Sequence, residues 1–150
     1  MRVGVLCYST GNRVIFHLHD HDGDLTQALQ DVHDIVYKGG GTYIGSAIKS
    51  VRENMYLSSN GDRADVENIM ILMTDGQSSG HDPYQQVQEA ELSKQAGITI
   101  ATVGIGNNVD DVTLRTLASS NELYLQTDFD NLQRTFEILI ESLGSCPSGT

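Results

Sequence analysis

The sequence predicts an α/β fold, with a doubly wound, mainly parallel sheet carrying helices on both faces. Three observations carry that expectation. Short apolar runs alternate with segments of helical period along the whole chain. Two of those runs, Ile69 to Met73 and Ile98 to Val103, are continuously apolar, as strands covered on both faces are. Both runs close in glycine-containing steps, Thr74-Asp75-Gly76 and Gly104-Ile105-Gly106. In such folds ligands bind beyond the carboxyl ends of the strands, so these two steps lie on the rim where a site would form.

Taken in order, Val3 to Tyr8 is an apolar strand and Gly11-Asn12 a turn signal. Arg13 to His19 alternates, with Val14, Phe16 and Leu18 on one face, which suits an edge strand of a hairpin. Asp24 is a good N-cap for a helix running to about Tyr37, whose Leu25, Leu29, Val32 and Ile35 share one side. Gly39-Gly40-Gly41 breaks the chain before a second helix from Thr42 to about Leu57, with Ile44, Ile48, Val51 and Met55 facing inward. Further helices are expected over about Tyr84 to Gln95, from Asp110, and from Asp128 to about Leu143. Leu123 to Leu125 is a last short strand. Residues 1–143 read as one domain and 144–150, rich in Ser, Gly and Pro, as a flexible tail.

Composition narrows the function. The 150 residues carry 20 Asp and Glu against 9 Lys and Arg, a formal net charge of -11, which repels phosphate backbones and anionic membranes. Nucleic acid is therefore a poor candidate partner. No apolar run approaches the roughly 18 residues of a membrane span. MRVGVLCYST does not read as a signal peptide, its apolar stretch being short and interrupted by Gly4. With 2 Cys there is no disulfide framework. Cys7 reads as a buried free thiol, Cys146 as exposed, and the two are not expected to pair.

Two segments carry candidate chemistry. In ILMTDGQSSG, Ile71 to Gly80, Asp75 ends a buried strand and is either a functional carboxylate or a turn aspartate. In GGGTYIGSAI, Gly39 to Ile48, Thr42 stands at or next to a helix N-cap. Its hydroxyl either caps the helix or coordinates a hard cation such as Mg²⁺. The Gly40 to Gly45 spacing lacks the lysine of a phosphate loop. Asp20 to Asp24 begins like an EF-hand loop, but Leu25 occupies the position that requires glycine. His17, His19 and His21 alternate as zinc ligands on a strand would, although a solvated edge is the simpler reading. Gly104-Ile105-Gly106-Asn107 lacks the third glycine of a dinucleotide site. No nucleophile stands beside a base, so no enzyme activity is expected.

The ordered set VGVLCYS, GGGTYIGSAI, VRENMY, ILMTDGQSSG, AGITIATVGIG and FDNLQRTFEIL resembles the von Willebrand factor type A domain, above all the extracellular kind of matrilins and collagens. The likeness spans about Arg2 to Leu143. It implies a Rossmann-like fold with a metal-ion-dependent adhesion site, usually holding Mg²⁺, whose open position takes an acidic residue of a protein partner. Thr42 and Asp75 match two of its ligands. The implied partner-binding rim includes Gly40, Gly41, Tyr43, Gly76, Gln77, Ser78, Gly106 and Asn107.

The sequence departs from the family in lacking the Asp-x-Ser-x-Ser run, together with the first strand and first helix that precede its match. The resemblance thus implies the carboxyl portion of a larger domain, incomplete at its N-terminus, with weak or absent cation binding. It also implies that the partner of Cys146 lies upstream. The expected function is a non-enzymatic adhesion module binding extracellular-matrix protein, collagen or another, in a secreted parent. The alternatives are an intracellular type A subunit of a larger assembly and, last, a phosphate-handling hydrolase using Asp75.

Overall fold

The computed structural model describes residues 1–144, so the expectations for the tail and Cys146 fall outside the described residues. The chain forms two compact units. The first comprises Met1–Asn68 and Ser78–Ile98, the second Ile69–Gln77 and the chain from Thr99 onward.

In the first unit, β1 (Val5–Tyr8) and β2 (Asn12–Phe16) form an antiparallel hairpin whose turn is Ser9 to Gly11, one residue earlier than the expected Gly11-Asn12 step, since Asn12 already pairs with Tyr8. Its register steps from Val5 opposite Phe16 to Leu6 opposite Val14, so Ile15 is bulged. Phe16 is buried at the end of β2. The strand stops there, so His17, His19 and His21 lie in the following turn rather than along one side of a strand. His21 packs edge-on against Phe16, with ring centroids 4.7 Å apart, and its Nε2 lies 2.8 Å from Asp31. The acidic run after it also has structural work. Arg2 pairs with Asp22, and Asp24 accepts from the Gln27 amide as the N-cap of α1 (Leu25–His33).

Helix α1 is shorter than expected. It ends at His33, four residues before Tyr37. Its apolar side does not enter the core: Leu25 is 71% exposed, Leu29 60% and Val32 42%. The 3.6-residue period was legible, but periodicity does not say what covers a face, and among the described residues no residue of α1 is buried.

The helix after the glycines behaves as its pattern dictates. α2 (Ile44–Ser50) buries Ile44, Ala47 and Ile48, then continues as a π-helical turn over Val51–Met55, where Met55 is buried. It packs on α3 (Gln86–Gln95), whose Ala90 and Ser93 are wholly buried. The Arg52 guanidinium reaches across to α3. It donates to Glu89 Oε2 at 2.7 Å and to the Glu89 carbonyl at 3.0 Å, and Glu89 is itself buried. A carboxylate so placed is tolerated because it is paired with the guanidinium, which also donates to Ser93 Oγ at 3.3 Å.

The second unit holds a three-stranded sheet in the order β3 (Asn68–Thr74), β4 (Ile98–Ile105), β5 (Tyr124–Thr127). β4 and β5 run parallel, Thr102 opposite Tyr124 and Ile105 opposite Thr127. β4 is the middle strand and the most deeply buried, which is why its sequence is continuously apolar. Its one hydroxyl there, Thr102, donates to the Leu114 carbonyl at 2.9 Å. α5 (Leu132–Gly144) brings Leu132, Leu139 and Leu143 against Ala101, Val103 and Ile105. α4 (Asp111–Leu117) buries Leu114 and Leu117. It is tied to β5 where Tyr124 donates to Asp111, with the Arg115 guanidinium 4.4 Å above the Tyr124 ring. β1 and β3 belong to different sheets.

Removing the guanidinium in Arg52→Ala strands Glu89 as a buried carboxylate. It should lower unfolding free energy by about 3 kcal/mol in a urea titration, and a loss below a few tenths would show that the pair is idle.

Tyr124 gives a pH signature. Burial, aided by the hydrogen bond to Asp111, raises its phenol from the ordinary 10 to about 12. A folded value above the unfolded one means that its stabilisation is complete below pH 10 and is lost as pH rises through 12. Burial raises the Tyr56 phenol further still, so alkaline absorbance titration should show two late-ionising tyrosines, and Tyr124→Phe should remove the earlier of the two.

Candidate functional site

Thr42 occupies the last position before the N-cap of α2, which is Tyr43 and has no side-chain capping bond of its own. Capping is therefore not what the Thr42 hydroxyl does. The cap is supplied from elsewhere in the first unit. Asp82 Oδ2 accepts from the Gly45 amide at 2.7 Å and the Ser46 amide at 3.2 Å, and Oδ1 accepts from Ser46 Oγ at 2.6 Å. A carboxylate at a helix start answers the unsatisfied amides and the positive end of the dipole together.

Gly45 makes this approach possible. It is buried, and a Cβ there would collide with the Tyr84 carbonyl. Sequence reasoning named neither Asp82 nor Gly45 in these roles. The signal for Asp82 was its Asp-Pro step, a common turn initiator.

The turn before α2 is stitched on both sides. Toward the hairpin, the Gly41 amide donates to Thr10 Oγ1 at 2.7 Å, and the Tyr43 amide donates to the Ser9 carbonyl at 3.0 Å. Gly40 sits at φ +131° in a conformation that glycine alone adopts readily. Toward the loop after β3, the Thr42 amide donates to Ser79 Oγ at 2.7 Å. The Thr42 carbonyl accepts from the Ser79 amide at 2.9 Å and from Ser78 Oγ at 3.3 Å. Both backbone polar groups of Thr42 are thus engaged. Among the described residues its hydroxyl has no hydrogen-bond partner, and the residue is half-buried.

In the second unit, Asp75 follows β3 in a turn closed by Thr74. The buried Thr74 hydroxyl donates to the Gly76 carbonyl at 3.0 Å and accepts from the Gly76 amide at 3.3 Å. This small turn holds Asp75 exposed, and no hydrogen bond or ion pair engages its carboxylate among the described residues. Gln77 is likewise exposed. Beyond β4, the Gly106 amide donates to the Thr127 carbonyl at 2.7 Å, extending the parallel ladder, and Asn107 is exposed.

Of the expected site residues, the structure brings Gly41, Thr42 and Ser78 together in the first unit. Asp75, Gly76 and Gln77 share one turn of the second, and Gly106 and Asn107 share another.

The free donors are a hydroxyl and a carboxylate, oxygen ligands of the kind that hard divalent cations prefer. Among the described residues no group of three or more His, Cys, Asp or Glu is placed to hold a metal. Each donor, taken within its own unit, is of a chemistry that a divalent cation accepts, and among the described residues neither unit alone assembles a full coordination set. Gly45→Ala should displace the loop of Asp82 and cost more than 2 kcal/mol of stability in chemical denaturation, a typical penalty for overpacking. A wild-type midpoint would contradict the close approach.

The von Willebrand factor type A domain model matches residues 1–138. The collagen alpha-1(XII) chain of Notophthalmus viridescens is 32% identical over 99% of this chain and 16% of its own length. The collagen alpha-4(VI) chain of Mus musculus is 33% identical over 97% of this chain and 6% of its own. The chain thus spans a small part of these collagens. Among solved structures, proximal thread matrix protein 1 of the mussel byssus superimposes with a TM-score of 0.85 at 31% identity, over 93% of this chain and 35% of that one. A further structure of that protein has a zinc-occupied MIDAS motif. The manganese-loaded Plasmodium vivax TRAP protein shares the fold, with a TM-score of 0.71 at 19% identity over 92% of this chain and 57% of its own. This chain belongs to the von Willebrand factor type A domain family.

Proposed function

We propose that this chain is a non-enzymatic protein-binding module of the extracellular matrix, and that its ligand is another matrix protein, collagen or a relative, bound through an acidic side chain. The observation that carries the reading is the pair of residues left with unengaged oxygen donors, Thr42 and Asp75. The sequence resemblance assigns them the hydroxyl and the carboxylate of the family's adhesion site, and both are unengaged here. Each is proposed as a donor to a divalent cation, Mg²⁺ or another. The cation would supply an open coordination position for the partner's carboxylate.

Gly40, Gly41, Tyr43, Gly76, Gln77, Ser78, Gly106 and Asn107 are proposed as the rim that meets the partner. Collagen relatives and a byssal matrix protein among the structural neighbours support a matrix setting and a secreted parent. The net charge of -11 gives the cation a second use. Two acidic surfaces repel, and a bridging divalent ion offsets that repulsion where they meet.

Retention of the chain on immobilised fibrillar collagen and on total matrix extract, with Mg²⁺ or with EDTA, tests the reading. Binding should require the cation and fall at least tenfold in Asp75→Ala, the cost of about 1.4 kcal/mol expected for losing a charged ligand contact. Retention that is equal in EDTA, or unchanged in Asp75→Ala, contradicts it.

A further inference from the structure

We propose that Asn60-Gly61 is a latched deamidation site: the native loop holds the step unreactive, opening of the loop lets it convert, and the product prevents the loop from closing again. The proposal stands apart from the cation reading and uses only contacts within the first unit.

The chemistry begins in the sequence. Of the chain's asparagines only Asn60 precedes a glycine. Glycine has no side chain to shield its amide, so its nitrogen can reach the side-chain carbonyl carbon of the residue before it. In that reaction the Gly61 nitrogen bonds to Asn60 Cγ and gives up its proton. The Cγ–Nδ2 bond breaks, and the departing nitrogen takes up the proton and leaves as ammonia. A five-membered succinimide remains. Water adds to one of its two carbonyls and opens it to aspartate or to isoaspartate. Water is the sole co-reactant and no atom is oxidised or reduced.

The native loop withholds both reacting groups. Asn60 ends the 3-10 turn Ser58–Asn60, and its Nδ2 donates to the Asn54 carbonyl in the π-helical turn at 2.5 Å. The Gly61 amide donates to the Ser58 carbonyl at 3.2 Å, and the Asp62 amide donates to the Leu57 carbonyl at 3.0 Å. Attack requires the Gly61 nitrogen to face Asn60 Cγ, whereas here the amide and the side chain are each committed to a different carbonyl. The Arg2 guanidinium donates to the Gly61 carbonyl at 3.0 Å and pairs with Asp22, which pins the turn from the other side.

The loop itself imposes the labile pair. Gly61 is buried at φ +96°, and a Cβ there would come within 2.7 Å of His19. Residue 60 must be a donor, because what it meets is a carbonyl oxygen. The product breaks that second requirement. A carboxylate has no donor for the Asn54 carbonyl, and two acceptors facing each other leave both unsatisfied. It also sets a negative charge two residues from Asp62. Isoaspartate adds a methylene to the main chain, which throws the bonds to Ser58 and Leu57 out of register.

The test follows deamidation of the wild-type chain at neutral pH, folded or in guanidinium chloride. The tryptic peptide Glu53–Arg63 carries the site. Chromatography with mass spectrometry separates its asparagine, aspartate and isoaspartate forms. Conversion should be at least about tenfold slower in the folded chain, because it proceeds only from the open fraction. Arg2→Ala should speed it in the folded chain and leave the denatured rate unchanged. Asn60→Asp, standing in for the product, should lower the thermal midpoint by about 3 °C. Equal rates in the folded and denatured wild type overturn the latch, and an unchanged folded rate in Arg2→Ala overturns the part assigned to Arg2. No conversion in denaturant overturns the site itself. A wild-type midpoint in Asn60→Asp overturns the one-way step.

Discussion

The demand that buried and half-buried backbone groups find partners shapes the first unit, and one loop meets most of that demand. The turn from Gly39 to Tyr43 has no regular structure and exposes amides and carbonyls that neither hairpin nor helix can satisfy. Ser78, Ser79 and Asp82 answer the Thr42 amide, the Thr42 carbonyl and the first amides of α2, while Ser9 and Thr10 answer Gly41 and Tyr43. The short α2 helix has no cap of its own and depends on that carboxylate. Once the cap is in place, Ile44, Ala47 and Ile48 are presented to the core on one side. Farther along, Arg52 reaches the buried Glu89 of α3.

The same economy explains what is left over. At Thr42 the backbone amide and carbonyl are taken by Ser78 and Ser79, and beside Asp75 the Thr74 hydroxyl closes the turn on Gly76, which leaves the Thr42 and Asp75 side-chain oxygens unengaged. Each position leaves one oxygen donor, a hydroxyl in the first unit and a carboxylate in the second, on a strongly acidic protein.

How much of this was legible beforehand differs from segment to segment. β4 was read correctly because a strand buried on both faces leaves a continuous apolar run, and its neighbours β3 and β5 followed from the same alternation. Asp75 after β3 and Thr42 before α2 were legible as strand-end and helix-start residues because motif order fixes their place along the chain. Asp82 was missed because its role depends on a contact with Gly45, 37 positions earlier in the sequence, and spacing along the chain cannot reveal such a pairing. What covers the face of α1 was not legible, for a related reason. Leu25, Leu29 and Val32 have the period of a buried stripe, but burial is a property of what lies opposite, and they are exposed. The three histidines were placed on a strand that ends at Phe16, where a bulge and a tight acidic turn take the chain away.

The most direct measurement is a Mg²⁺ titration followed by backbone amide NMR on the chain. If the chain is a cation-dependent adhesion module, the largest shifts fall on Gly41 to Tyr43 and on Asp75 to Ser79, saturate together, and vanish in Asp75→Ala. Shifts spread evenly over the acidic surface, or confined to the Asp20 to Asp24 turn, would show diffuse counterion binding and contradict the account.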